Sequence, residues 1–354
     1  MAKKWRCAML GAGMVGEWHT KVLSTLECAE LVAVCDRRVE RIAENLAKNG
    51  IKGVQVYPEL ADLLENEDFD VLHVCTPSGD HMGPAIAAMQ AGKNVICQKP
   101  LEIQLDRIDK MIEAAKQHKV RLAGVFQNRW NESSKTMKAA MDEGRFGTLA
   151  FAGCYTQWYR TDDYYRDGGW RGTWKWDGGG AVMNQSVHAI DLLQWIVGPV
   201  KSVSAYAASR IHPEIEVEDT LACALQFENG AFGCIVGTTA MYPGAPARLE
   251  VGGSGGTAVS EGYLKVFRFK DERPEDKALL ERVKPKVEST AGGANPRDVR
   301  LELHTANITS ILKAWEEGRD AETNGPEARK AVAIVLAMYE SAKKGGAAVA
   351  VSKG

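Results

Sequence analysis

The sequence predicts a doubly wound parallel α/β domain (1–124) followed by an α+β domain with a large open antiparallel sheet (125–354). Three observations support this fold class. Short apolar strands alternate with helix-periodic segments through the first third of the chain. A glycine-rich turn follows the first of these strands. Beyond about residue 126, strand-like runs follow one another, and one pair is joined by a hairpin turn at Asn229-Gly230.

Composition narrows the class of protein. The 354 residues suffice for two domains, and the 45% apolar and 25% charged fractions are those of a globular protein. A net charge of −2 without a long basic run argues against nucleic acid as a partner, and no apolar run reaches membrane-spanning length. The eight cysteines form no Cys-x-x-Cys pair, which predicts reduced thiols, a cytoplasmic location and no metal site.

Strands and helices alternate in the first domain. Pro58 at the start of one helix and Gly92 at the end of another are typical helix boundaries. The predicted strands are Arg6–Leu10, Leu31–Cys35, Val54–Tyr57, Phe69–Cys75, Asn94–Cys97 and Val120–Phe126. The predicted helices are Glu17–Ser24, Pro58–Asn66, Asp80–Gln90 and Leu105–Lys119. This alternation predicts a parallel sheet whose ligands bind beyond the carboxyl ends of the strands.

In the second domain, a helix at Glu132–Gly144 precedes the strands, and helices at Leu303–Glu317 and Pro326–Lys343 follow them. The predicted strands are Thr148–Trp158, Val200–Ser209, Leu221–Phe227, Ala231–Thr239, Ala247–Val251, Thr257–Ser260 and Tyr263–Phe269. One face of this sheet is expected to pack against the helix that carries His188. The other face needs a cover, and a partner subunit is the simplest one.

The glycine-rich turn is the Gly-x-Gly-x-x-Gly sequence Gly11–Gly16, which lies between a strand and a helix as in the Rossmann dinucleotide site. Asp36 ends the second strand, where an acid would bind the ribose hydroxyls of NAD. Arg37 and Arg38 follow and could pair with a 2′-phosphate, so NADP stays an alternative. The predicted cofactor-binding residues are Gly11, Gly13, Met14, Val15, Asp36, Arg37, Thr76, Pro77, His81 and Lys99.

Lys99 is the first candidate for chemistry. It lies on the rim of the parallel sheet, and Pro100 ends its strand. A lysine there could hydrogen-bond a substrate hydroxyl and stabilise the alkoxide that forms as hydride leaves. The alternative is a solvated surface lysine, which is the usual situation for this residue type.

His188 is the second candidate. It lies on a helix that follows Gly178–Gly180 and runs to about Val197, with a first turn that is expected to expose backbone N–H groups. Asn184, His188 and Asp191 are spaced i, i+4 and i+7, so they share one face of this helix. His188 could therefore transfer a proton, and the alternative is a core histidine with satisfied hydrogen bonds.

The segment Trp158–Trp174 leads into this helix and is rich in aromatic, Arg and Asp side chains. Rings can stack on a sugar, and Arg can bind hydroxyl or carboxylate groups. The alternative is a loop that packs on its own aromatic side chains. The predicted substrate-binding residues are Lys99, Arg160, Tyr164, Trp170, Arg171, Trp174, Asn184 and His188.

With these residues in view, the chain resembles the Gfo/Idh/MocA family of NAD(P)-dependent sugar oxidoreductases nearly end to end. The motifs that carry the resemblance are Gly11–Gly16, Thr76-Pro77 with His81, Gln98-Lys99-Pro100, Gly178–Gly180 through Asn184, His188 and Asp191, and Tyr339–Ala342. The resemblance implies that Lys99 and His188 are the catalytic pair, often with a cis peptide before Pro100. It also implies a homodimer or homotetramer formed through the open sheet face.

Two positions depart from the family pattern. Gln98 stands where Glu is usual before the lysine, and Asn184-Gln185 stands where Asp is common four residues before the histidine. An Asn cannot act as a base, so the proton role falls on His188. The Asn-Gln variant resembles the branch that acts on nucleotide-sugar uronates and on glycosides oxidised at ring carbon 3.

The predicted reaction is hydride transfer between a nicotinamide and a secondary hydroxyl or ketone of a glycoside, a nucleotide-sugar uronate or a cyclitol. In this hypothesis His188 takes the hydroxyl proton and Lys99 stabilises the oxygen, while Asn184 positions the substrate and Asp191 orients His188. Two alternatives stay open. One is a glycosidase or lyase that recycles NAD through transient ring oxidation, and the other is a non-catalytic sensor of dinucleotide and sugar.

Overall fold

The computed structural model describes residues 4–167, 169–284 and 300–353, which form two compact units. The first unit contains the described residues up to 127 together with 300–329. The second contains the described residues from 128 to 284 together with 330–353. Residues 300–329 therefore cluster with the first unit, although the sequence pattern groups them with the second domain.

A parallel sheet forms the centre of the first unit. Its strands are β1 (Trp5–Leu10), β2 (Ala29–Cys35), β3 (Gln55–Tyr57), β4 (Val71–Val74), β5 (Asn94–Cys97) and β6 (Leu122–Gly124). They pair in the order β3-β2-β1-β4-β5-β6, and every neighbouring pair is parallel. The reversal of strand order beside β1 gives a doubly wound sheet, which confirms the predicted fold class.

Helices connect these strands. They are α1 (Met14–Thr25), α2 (Val39–Lys48), α3 (Leu60–Asn66), α4 (Met82–Gln90) and α5 (Leu105–Gln117). The helix α2 is absent from the sequence prediction. Its buried apolar residues are Ile42 and Leu46, four positions apart, and most of its other side chains are charged or polar. Its apolar and charged residues nevertheless lie on opposite faces, so the helical periodicity is present in the sequence and the prediction missed it.

The second unit is built on a larger sheet. Along the chain its first elements are α6 (Glu132–Asp142), β7 (Leu149–Gln157), α7 (Asp162–Arg166), a π-helical turn (Ala181–Ser186) and α8 (Val187–Val197). Then come β8 (Val200–Ala208), β9 (Thr220–Phe227), β10 (Phe232–Thr238), β11 (Arg248–Gly253), β12 (Gly256–Glu261), β13 (Leu264–Phe269) and α9 (Pro274–Val283). The C-terminal elements of the chain are α10 (Leu301–Glu316), α11 (Gly325–Lys343) and β14 (Val349–Ala350).

The sheet of the second unit has the order β13-β12-β11-β7-β10-β9-β8-β14. It is mostly antiparallel, as predicted, but β7 and β10 are parallel, with Phe151 beside Phe232. The π-helical turn and α8 pack on one face of this sheet, against β7, β9, β10 and β11. The helix that carries His188 therefore covers one face, which agrees with the sequence prediction.

The helix α10 explains why residues 300–329 belong to the first unit. It packs against α1. Its residues Ile308, Ile311 and Leu312 are buried in the same core as side chains of β1 and α1. Trp315 places its ring edge-on to Trp5, with 6.2 Å between the ring centroids. Burial of these apolar side chains therefore places α10 in the first unit, although α10 follows the strands of the second unit in the sequence.

The predicted thiols and the absence of membrane-length runs can also be compared with the structure. All eight cysteines lie in described residues and are free thiols, of which Cys28, Cys75 and Cys234 are partly exposed and the others buried. Within the described residues, no helix has both the length and the apolar character needed to cross a bilayer.

Candidate active site

The glycine loop after β1 has two crowded glycines and one open glycine. Gly11 has φ +97°, and a Cβ there would lie 2.6 Å from the Cys75 carbonyl oxygen. A Cβ at Gly16 would lie 2.0 Å from the Gly11 carbonyl oxygen. At Gly13, by contrast, a Cβ would meet no atom within 4 Å, and no side chain caps the start of α1. Backbone N–H groups are thus open to a pyrophosphate at the predicted place.

Asp36 lies at the carboxyl end of β2 and bonds the glycine loop. Its carboxylate accepts hydrogen bonds from the backbone N–H of Ala12 at 2.8 Å and of Arg38 at 2.9 Å. The Arg38 Nε is 3.6 Å from the same carboxylate. These contacts fix Asp36 beside the loop, which is the geometry that a ribose-binding acid requires. The residues of this region therefore fit an adenine dinucleotide.

His81 links two turns on the rim of the parallel sheet. The imidazole is buried, with Nδ1 at 3.0 Å from the Pro100 carbonyl oxygen and Nε2 at 3.0 Å from the Thr76 carbonyl oxygen. The Thr76 hydroxyl donates to the Asp80 carbonyl at 2.9 Å. Burial lowers the pKa of His81. The structure thus places His81 behind the rim, where it holds the Thr76 turn to the lysine turn, and its contact with the cofactor stays a prediction.

Lys99 follows β5 at this rim and is half-buried. The Lys99–Pro100 peptide is cis, as the resemblance implies. The backbone N–H of Lys99 donates to the side-chain Oε1 of Gln98 at 3.2 Å. The positive charge of Lys99 contributes to lowering the pKa of His81 and of His304, so its ammonium group lies near both imidazoles.

In the second unit, the glycine run before the His188 helix allows two close contacts. A Cβ at Gly179 would lie 2.0 Å from the Tyr339 hydroxyl oxygen, and a Cβ at Gly180 would lie 1.7 Å from the Glu218 carbonyl oxygen. Only a residue without a side chain lets the chain pass here. The helix then begins as a π-helical turn and continues as α8 to Val197, the predicted end.

The Glu218 side chain lies at the start of this helix and accepts hydrogen bonds from its first backbone N–H groups. Its carboxylate accepts hydrogen bonds from the backbone N–H of Gly180 at 2.9 Å and of Val182 at 3.0 Å, and from the Tyr339 hydroxyl at 3.0 Å. The prediction that the first turn exposes these N–H groups is therefore wrong for Gly180 and Val182. Burial raises the pKa of Glu218 to about 7, although the three hydrogen bonds act in the opposite direction. The sequence analysis did not find Glu218, and the acidic pair Glu218-Asp219 just before a buried strand was the available signal.

Asn184 and His188 form the accessible stripe of the helix. Within residues 181–190 these two are partly exposed and the others are buried. The Asn184 side-chain nitrogen donates to Asp177 Oδ1 at 2.7 Å, and Asp177 Oδ2 accepts from the Gly172 N–H at 3.0 Å. Asp177, which the sequence analysis also missed, therefore orients the Asn184 amide. Of the three residues predicted to share a face, Asn184 and His188 are thus both partly exposed, whereas Asp191 is buried.

Asp191 is engaged by an arginine. Arg129 donates from Nε at 2.8 Å and from Nη2 at 2.6 Å to the two carboxylate oxygens, and both side chains are only 1% exposed. Arg129 also lies over the Trp195 ring, 5.4 Å from its centroid. A buried bidentate pair of this kind fixes the carboxylate rigidly. That Asp191 orients His188 stays a prediction.

The aromatic loop places two guanidinium groups around Tyr164. Arg160 lies 5.3 Å and Arg171 4.5 Å from the Tyr164 ring centroid. Arg171 also lies 5.5 Å from the Trp170 centroid, while Trp174 packs edge-on against Tyr339. The loop thus packs partly on its own aromatic rings, with Arg160 buried and Arg171 partly exposed.

A hydrogen bond ties this loop to the His188 helix. The Gln185 side-chain nitrogen donates to the Tyr164 hydroxyl at 3.1 Å. Gln185 is adjacent in sequence to Asn184. The hydrogen bond therefore holds Tyr164, with its two neighbouring arginines, against the helix that carries Asn184 and His188. Burial lowers the pKa of the Arg160 guanidinium, which indicates that its charge is poorly hydrated.

Comparison with protein families agrees with both halves of the chain. The NAD-binding Rossmann fold of the Gfo/Idh/MocA oxidoreductase family matches residues 5–126. The C-terminal domain of the same family matches residues 134–259.

Several similar proteins are named dehydrogenases. The WlbA dehydrogenase from Bordetella pertussis, solved with NADH and UDP-GlcNAcA, is 31% identical with a TM-score of 0.87, over 99% of this chain and 100% of that chain. The WlbA enzyme from Chromobacterium violaceum, with the same two ligands, is 30% identical with a TM-score of 0.87, over 99% and 97%. The myo-inositol 2-dehydrogenase of Thermotoga maritima is 29% identical over 71% of this chain and 73% of its own length. The chain therefore belongs to the Gfo/Idh/MocA family and is an NAD-dependent dehydrogenase.

Proposed function

We propose that this enzyme oxidises a secondary ring hydroxyl of a nucleotide-linked hexuronic acid. The observation that carries the proposal is the pair of guanidinium groups around Tyr164, tied through Gln185 to the helix of His188. The WlbA relatives, at 31% and 30% identity, bind NADH and UDP-GlcNAcA. A nucleotide-linked uronic acid carries both a carboxylate and a diphosphate, and arginine recognises both groups.

Arg171 is the strongest candidate for contact with such an anion. Across the residues that the structure describes, it forms no ion pair, and its guanidinium stacks on Tyr164 while Nη1 donates to the Tyr164 carbonyl at 3.2 Å. Stacking on Tyr164 and one backbone contact hold the Arg171 guanidinium in place without neutralising its positive charge. Its charge is therefore available for a substrate.

The proton chemistry falls on His188. A neutral, partly exposed imidazole can accept the hydroxyl proton as hydride leaves the same carbon. Asn184, held by Asp177, positions neighbouring hydroxyls, and Lys99 stabilises negative charge on the reacting oxygen. NAD supplies the hydride acceptor when bound, and Gly13, Met14, Val15 and Asp36 would hold it through backbone N–H groups and the carboxylate.

The first experiment is a substrate panel with NAD, followed by NADH absorbance. The panel contains a UDP-hexuronic acid, the matching UDP-hexose, a simple glycoside and inositol. We expect turnover to favour the uronic acid over the UDP-hexose, because the two differ only in the carboxylate. Product release without net NADH would identify the recycling lyase or glycosidase in place of a dehydrogenase that makes free NADH. Preference for inositol or the glycoside would overturn the substrate assignment.

Variants separate binding from chemistry in the same assay. His188→Ala is expected to lower kcat by roughly 10²–10⁴-fold without loss of NAD binding, the usual contribution of a general base. Arg171→Gln is expected to raise KM for the uronic acid by about tenfold, the effect of losing 1.4 kcal/mol of binding. Arg166→Gln is the matched control, since Arg166 is exposed on the same loop and paired with Asp163. Full activity of His188→Ala would contradict the assigned base.

A further inference from the structure

A row of buried, hydrogen-bonded side chains runs inward from the Lys99 turn. The Lys99 N–H meets Gln98 Oε1 at 3.2 Å, and Gln98 Nε2 lies 2.6 Å from His19 Nε2. His19 Nδ1 lies 3.1 Å from His73 Nδ1. Gln98 is 6% exposed, and His19 and His73 are both 0% exposed. The row belongs entirely to the first unit and connects α1, β4 and the end of β5.

The direction of every hydrogen bond in this row follows from its first member. A backbone N–H can only donate, so the amide oxygen of Gln98 accepts from Lys99 and the amide nitrogen donates to His19. The opposite amide orientation would place two donors face to face. His19 must then accept at Nε2 and carry its proton on Nδ1, which donates to His73 Nδ1. His73 carries its proton on Nε2, a buried atom with no hydrogen-bond partner among the described residues.

The two imidazoles are held neutral. Burial lowers the pKa of His19 well below its ordinary value, and the neighbouring His73 and His304 lower it further. Burial alone lowers the pKa of His73 to about 3. The ring of His304 lies 6.3 Å from that of His19, and burial lowers the pKa of His304 to about 4. No member of this group carries charge near neutral pH, so the row has one proton arrangement.

We propose that Gln98, His19 and His73 form a neutral positioning relay for Lys99, in which Gln98 sets the direction of all three hydrogen bonds. The relay fixes the backbone at Lys99 and itself adds no negative charge beside the ammonium group. The effect of the relay on turnover rests on the proposed function, because the relay acts through Lys99. The proton arrangement of the relay is independent of the proposed function and can be measured separately.

The substitution Gln98→Glu reverses this arrangement with almost no change in shape. A carboxylate accepts from the Lys99 N–H and also from His19, so His19 must now donate from Nε2. His19 Nδ1 then becomes an acceptor, and His73 must donate from Nδ1. The variant also places a negative charge beside Lys99, whose charge already acts on the imidazoles of His81 and His304. A carboxylate there stabilises the charged form of Lys99 and raises its pKa.

The first test uses ¹⁵N-histidine-labelled enzyme and NMR, which distinguishes protonated Nδ1 from protonated Nε2. For the wild-type enzyme we expect His19 protonated at Nδ1 and His73 at Nε2, with both neutral from about pH 5.5 to 8.5. In Gln98→Glu we expect the opposite tautomers, with His19 protonated at Nε2 and His73 protonated at Nδ1. The resonances are assigned by their loss in His19→Gln and His73→Gln, and His118→Asn, at the partly exposed end of α5, is the control. A wild-type His19 protonated at Nε2, or charged, overturns the relay.

The second test measures activity on the substrate found with the panel. Gln98→Glu is expected to lower kcat on the order of 10 to 100-fold, as small misplacements at a reacting centre do, with little change in KM for NAD. The kcat–pH profile should move to higher pH. Gln98→Met, which keeps the shape and loses the bonds, should lower kcat without moving the profile. If both variants keep the wild-type kcat and pH profile, the positioning role is wrong even where the tautomers are as expected.

Discussion

Glu218 is a buried carboxylate whose charge works against folding. Its pKa is raised by burial from 4.5 to about 7 in the folded protein. In the unfolded chain it ionises near 4.5, so between these two values the folded state binds one more proton. Stability from this group is therefore fully present below about pH 4.5 and is lost as the pH rises to about 7. Above that pH, both states are ionised and the contribution is constant.

Glu218→Gln removes this titration. We expect the free energy of unfolding of the wild-type enzyme to fall, relative to that of the variant, on the order of 3 kcal/mol between pH 4.5 and 7, because one pKa unit corresponds to 1.36 kcal/mol. The measurement is denaturant unfolding at a series of pH values. Glu214→Gln, on the same connection but exposed, should follow the wild-type curve. A constant difference between wild type and Glu218→Gln across this range would show that Glu218 does not titrate there.

Individual site residues differ in how far the sequence reveals them. Asp36, Lys99 and His188 were predicted because each follows a local pattern, a strand end or a glycine run, that indicates its chemistry. Their roles stay predictions. Glu218 was missed because its partner Gly180 is 38 residues away, and their contact exists only once β9 has paired within the sheet. The two ring contacts of Tyr164 likewise depend on how the loop closes on itself.

At the scale of the element, the start of the His188 helix depends on a glycine that tolerates no side chain. The requirement for glycine at this position is steric. A Cβ at Gly180 would lie 1.7 Å from the Glu218 carbonyl oxygen, a backbone atom two residues before β9. Neither the strand nor the helix can move away without breaking the Glu218 bonds.

Gly180→Ala is therefore expected to destabilise the second unit by about 3 kcal/mol or more, the upper range for overpacking, and to lower kcat because His188 shifts with its helix. Gly83→Ala is the matched control. Gly83 lies inside α4, and no atom lies within 4 Å of its Cβ position. Alanine there should be neutral or stabilising by up to about 1 kcal/mol. Equal denaturant midpoints for Gly180→Ala and the wild type would refute the steric argument.

The elements themselves were largely predictable, but not their partners. Strands β1 to β13 each overlap a run of apolar or alternating residues that the sequence analysis identified. The two-residue β14 is too short to give a periodic signal, whereas α2 was missed although its apolar and charged residues lie on opposite faces. The parallel pairing of β7 with β10 was missed because the strands are far apart in the chain and pairing is decided by packing. The position of α10 was also missed, because it is decided by packing of the apolar face of α10 in the core of the first unit.

For the molecule as a whole, the open face of the large sheet is the main unexplained surface. Register places Tyr206 beside Ala222, and Phe232 beside Gln226 and Phe151, all on the face opposite the His188 helix. Tyr206 is 69% exposed, Phe232 63% and Phe151 39%. Large rings exposed to water on one sheet face are unfavourable, and such exposed apolar groups often mark an interface.

We expect this face to bind the same face of a second copy of the chain, since the resemblance implies dimers or tetramers and a two-fold interface needs one self-complementary patch. Sedimentation at micromolar concentration should then give a mass at least twice the 38.6 kDa of one chain. Phe232→Asp should give the single-chain mass, because a charge buried against apolar rings opposes association. Val56→Asp, at an exposed valine on β3 of the first unit, should leave the assembly unchanged.

A wild-type enzyme of 38.6 kDa would show that the rings are exposed in the working protein. A multimer insensitive to Phe232→Asp would place the interface elsewhere.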